Sequence, residues 1–137
     1  VIPAMHEKPH PPPDLAEIER LAEKALATIP AELRRHVANV VLRVEDFCDE
    51  ETEKEMELES PFELMGLYRG IDLIRDSVSA VRSSPDMIFL YRRPLLDYWC
   101  ETGEDLYVLV RHVMIHEIGH HFGFSDDDMD ALERQAE

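Results

Sequence analysis

The chain has 137 residues, 45% of them hydrophobic and 32% charged, with a formal net charge of -16, which is enough for one hydrophobic core and too short for two ordinary domains. So strong a negative charge repels nucleic acid and anionic membrane surfaces within a Debye length, and leaves solubility or a basic protein partner as its consequence. No apolar run approaches the ~20 residues that span a bilayer. The start, VIPAMHEKPHPPP, has neither a basic nor an apolar targeting region. The expected location is therefore cytoplasmic, and Cys48 and Cys100, outside any CxxC pair, read as reduced thiols rather than a bridge or a ligand pair.

Residues 1–13, which end in three consecutive prolines, are expected to be disordered, and 14–137 to form a single domain. Asp14, with Glu17 three residues on, has the signature of a helix cap. Leu15, Ile18, Leu21, Ala22, Ala25 and Ile29 then recur at helical spacing until Pro30. From Val37 to Val44 the residues turn β-branched and predict a strand, with Val40, Leu42 and Val44 on one face and Val41 and Arg43 on the other. The run from Glu45 to Pro61 sets many carboxylates against the single Lys54. Their mutual repulsion predicts a mobile or weakly helical surface segment, able to serve as a docking face for a basic partner.

Leu64 to Gly70 reads as a strand or a loop over a site, and Met87 to Tyr91 as a strand. Pro94 is placed to open a short helix through Trp99. Glu104 to Phe122 is the longest helical stretch: Glu104 and Asp105 suit its first turn, Leu106, Leu109, Val110, Val113 and Met114 form its apolar side, and Gly123 suits the left-handed position beyond its end.

That helix carries the chemistry. His116 and His120 lie about 40° apart around its axis and one turn apart along it, with Glu117 roughly 60° beyond His120. Two imidazoles at that spacing can bind one Zn²⁺. The carboxylate between them, too far round to be a ligand, can take a proton from a metal-bound water. Gly123 allows a reversal that returns Asp126 as a third ligand, leaving a fourth position for water, the arrangement of a catalytic zinc site. Asp127 and Asp130 compete for that place. A different reading makes Ser125 a helix cap with Asp128 three residues on, and Asp126 and Asp127 first-turn acids. His121 points off this face, and His112, a turn earlier, could join a distorted site but reads rather as a partly buried helix residue. An HExxH alone arises in about 5% of shuffles of this composition, whereas adding Gly123 and Asp126 lowers that to about 10⁻⁴. The longer pattern is therefore the informative one.

The run His116-Glu117-Ile118-Gly119-His120-His121-Phe122-Gly123-Phe124-Ser125-Asp126 resembles the HExxHxxGxxD signature of zincins. A short chain with this motif near its C-terminal end is similar to the small bacterial zincin-like metallopeptidases, minimal single-domain proteins. The resemblance extends over Leu64 to Gly70, Met87 to Pro94 and Glu104 to Asp130. It implies an α+β fold, a small mixed β-sheet packed against helices with the active-site helix near the C-terminus. It also implies Zn²⁺ held by His116, His120 and Asp126 and Glu117 as catalytic base; a cleft without a second subdomain would grip substrate weakly, so the expected substrate is a short peptide or an unfolded protein. In larger zincins a sheet edge holds substrate as an added strand, and Met87 to Tyr91 is the expected edge here. With eleven residues after Asp126 in this sequence, the usual C-terminal subdomain is not expected, and Met129 is too close to the motif to be assigned the part of a metzincin Met-turn. Tyr68, Tyr91 and Arg93 are the candidates for stabilising an oxyanion. Two other classes compete with the peptidase: a zinc-binding protein without hydrolytic turnover, and an acidic interaction module acting through Glu45 to Glu59.

Overall fold

The computed structural model describes residues 11–70 and 85–135. Asp14 caps the first helix as its spacing predicts, its Oδ1 accepting from Glu17 N at 2.8 Å, and α1 runs Leu15–Thr28 with Ile18, Ala22 and Ala25 fully buried. Pro30 ends α1 and also begins a new helical turn, α2 (Ala31–Arg34), which continues as a 3₁₀ turn over Arg35–Val37. The expected strand therefore starts four residues late: β1 is Val41–Glu45, and Val37 enters the core from a helical turn, burial overriding its β preference. Of the N-terminal segment, residues 1–10 lie outside the described residues, while Pro13 O accepts a 2.6 Å hydrogen bond from Arg92 Nε.

The acidic segment holds a short helix, α3 (Glu50–Glu55). Asp49 caps it through Thr52 N at 2.8 Å, and Thr52 turns into the protein. Leu64 to Gly70 resolves into a strand, β2 (Gly66–Arg69), and β3 occupies Met87–Tyr91 as the sequence predicts. The sheet order is β1-β3-β2, with β1 parallel and β2 antiparallel to β3. Met87 to Tyr91 is thus the central strand and not the expected edge. Its apolar residues are explained by cover on both sides: Ile88 and Leu90 face the main core, while Phe89 and Tyr91 pack with Cys48, Leu58, Leu64 and Leu67 on the other. Among the described residues the edge beside the motif helix is β2.

Helix α4 spans Arg92–Thr102, longer than expected at both ends because Pro94 sits harmlessly in the first turn and Gly103, at φ 73°, closes the helix. Helix α5 spans Leu106–His121 and α6 spans Asp126–Arg134. Asp105, expected in the first turn of α5, is instead its cap, accepting from Val108 N at 3.0 Å. Helices α1 and α5 pack together on one face of the sheet, and Gly66 lets β2 close on α5, since a Cβ there would stand 2.8 Å from Val113 Cγ1. The result is the α+β arrangement of a small mixed sheet against helices. Cys48 and Cys100 are both free, and among the described residues no helix is long and apolar enough to cross a membrane.

Candidate metal centre

The turn after α5 decides the geometry of the motif. Phe122 ends the helix, Gly123 takes a left-handed φ of 84°, and Phe124 N returns to Gly119 O at 2.9 Å. Ser125 then caps α6 in a reciprocal box with Asp128, at 3.0 Å from Asp128 N to Ser125 Oγ and 3.4 Å from Ser125 N to Asp128 Oδ2. The cap reading of this segment is therefore correct, and Asp126, first residue of α6, has its Oδ1 3.6 Å from His120 Nε2. Gly119 is needed because Met129, fully buried on α6, lies against it; a Cβ would collide with Met129 Sδ and Cγ. Met129 thus packs α6 beneath the motif.

His116, His120 and Asp126 each bring one donor atom within 4.8 Å of the others, with the two rings nearly perpendicular and their centroids 6.0 Å apart. His116 is mostly buried, and its Nε2 has no hydrogen-bond partner. An orphaned buried nitrogen costs about 1–3 kcal/mol, and a cation is the partner that two imidazoles and a carboxylate suit. The residues present fit Zn²⁺. Glu117 sits half-buried beside them; burial pushes its proton affinity above the ordinary carboxylate range, and the nearby His120 offsets part of that rise.

A neighbour escaped the sequence reading. Glu133, on α6, accepts from His112 Nδ1 at 2.6 Å and places Oε1 3.5 Å from His116 Nε2, so His112, His116 and Glu133 form a second group of converging donors. The signal was present in the spacing: His112, His116 and His120 stripe α5 at four-residue intervals, and Asp126, Met129 and Glu133 lie on one face of α6 at intervals of three and four.

His121 lies off this face as expected, its ring 4.3 Å from that of Tyr68 and close against Gly70. Of the three oxyanion candidates, only Tyr68 lies beside the end of α5, and its hydroxyl donates to Asp86 Oδ2 at 2.6 Å. Tyr91 packs on the far face of the sheet and Arg93 lies over the Phe47 ring, so neither joins the histidines.

A small sheet, a helix carrying two histidines and a glutamate at this spacing, and a returning acidic helix are the arrangement that the resemblance to zincins implies. The sequence profile described as zincin-like metallopeptidase matches residues 37–136, and the chain belongs to that family. A comparison with curated proteins finds no match.

Proposed function

We propose that this protein is a zinc-dependent peptidase in which His116, His120 and Asp126 hold the ion and Glu117 is the general base. The observation that carries the reading is the buried Nε2 of His116, which makes no hydrogen bond and whose ring converges with His120 and Asp126. Zn²⁺, when bound, supplies Lewis acidity, which acidifies a water and polarises a peptide carbonyl. The rest falls to the chain. Glu117, its proton affinity raised by burial, is suited to accept the water's proton at one carboxylate oxygen and pass it to the leaving amine. Strand β2, an edge of the sheet among the described residues and packed beside α5, is where an extended peptide can lie as an added strand. A short or unfolded peptide, able to extend along that strand, is the proposed substrate class. Two free thiols agree with a reducing compartment, the cytoplasm.

The test is the metal content of the purified chain together with cleavage of a panel of unstructured peptides. Glu117→Gln should retain the metal and lose about 10²- to 10⁴-fold in turnover. Turnover equal to that of the unsubstituted protein would refute the general base. Metal retained with no turnover in either form would favour a zinc-binding protein without hydrolysis.

A further inference from the structure

We propose that His112, His116 and Glu133 form a second site for a Zn²⁺-type divalent cation, alternative to the one made by His116, His120 and Asp126. The two sets have the same donor chemistry, two imidazoles and one carboxylate, and in each the donor atoms lie within 4.8 Å of one another. They differ in how far the donors are already held. In the outer set the side chains of His120 and Asp126 are 57% and 84% exposed, so both must be immobilised when an ion arrives. In the inner set Glu133 is 23% exposed and already bonded to His112 at 2.6 Å, with His116 at 3.5 Å. Less side-chain freedom remains to be lost there. An ion seated among these three takes the place of the His112–Glu133 hydrogen bond and satisfies the orphaned His116 Nε2.

His116 belongs to both sets, so an ion in one competes with an ion in the other. Inner occupancy sits one helical turn up α5, away from His120 and Asp126, and would leave Glu117 without the ion that the proposed reaction requires. The second site therefore defines a metal-loaded form distinct from the hydrolytic one. It goes beyond the proposed function, with which it shares only His116.

The test uses the full chain, stripped with chelator and titrated with Zn²⁺ or Co²⁺ against a chromophoric competitor. Three variants are compared with the unsubstituted protein: His120→Ala with Asp126→Ala, His112→Ala with Glu133→Gln, and all four together, with circular dichroism to verify folding. Each double variant is expected to bind one equivalent, weakened by no more than about 100-fold, and the fourfold variant to lose at least a further 100-fold. If the variant lacking His120 and Asp126 binds no better than the fourfold one, the inner site does not exist and the Glu133 contact is only a tie between α5 and α6. If that variant binds while the one lacking His112 and Glu133 does not, the inner site stands and the ligand set of the proposed function fails. If the unsubstituted protein binds no better than the fourfold variant, both fail. Should loss of His112 unfold the chain, Glu133→Gln alone, which leaves His112 a hydrogen-bond partner, replaces that arm.

Discussion

At Glu117, burial on α5 disfavours the ionised carboxylate, and His120 compensates in part. The folded proton affinity is thus raised above that of the unfolded chain, about 4.3 for a glutamate. A group shifted in this direction contributes stability below the unfolded value and loses it as pH rises through the folded one. At neutral pH the metal-free protein therefore carries Glu117 at a cost. Glu117→Gln should stabilise metal-free protein at pH 7, with the gain shrinking toward pH 4; urea denaturation at both pH values reads it. A residue that weakens the fold where it stands is more easily explained by chemistry than by packing. His116, Glu117 and His120 were legible because they share one helix, whose geometry fixes their relation in advance. Glu133 was not, although its spacing from Asp126 was visible, because its meeting with His112 and His116 depends on how α6 folds back.

That return is made by one element, the turn between α5 and α6. Gly123 holds φ 84°, and a Cβ there would meet nothing within 4 Å, so its requirement is conformational and not steric. Gly123→Ala should cost roughly 1–2 kcal/mol, read from the urea midpoint, while Gly123→Asn, which tolerates the left-handed region, should recover part of the loss. A similar cost from both would mean that the side chain meets an obstacle. At the sheet, Tyr68 donates to Asp86 and its ring packs on His121 and Phe122, so it joins β2 to the start of β3 and the end of α5. Tyr68→Phe removes one charge-assisted bond and should destabilise by about 1.5–3 kcal/mol, a loss measurable by thermal melting. The turn at Gly123 and the limits of β3 were legible, since a positive-φ glycine and an apolar run of five are local signals. The centrality of β3 was legible only in its being apolar on both faces. The 3₁₀ turn at Val37 was hidden, because a valine buried from a helical turn carries the same side chain as one buried from a strand.

Over the whole molecule two electrostatic effects act on the same fold and can be separated. A formal charge of -16 on 137 residues sets up repulsion among many exposed carboxylates, which compaction intensifies and salt relieves as the Debye length falls from about 10 Å at 0.1 M to about 3 Å at 1 M. Raising KCl across that range should increase stability equally in the unsubstituted protein and in the variant lacking His112, His120, Asp126 and Glu133. A bound cation acts locally: it joins α5 to α6 through donors that, without it, include a buried nitrogen making no hydrogen bond, and it stabilises only the state that presents them together. Zn²⁺ at a hundredfold excess over its dissociation constant should add about 2.7 kcal/mol to the unsubstituted protein and nothing to the fourfold variant. Both proteins should gain equally from salt, so a zinc response that survived in the fourfold variant would mean that the ion acts on the diffuse acidic surface, as any divalent cation would, and not at the histidines of α5.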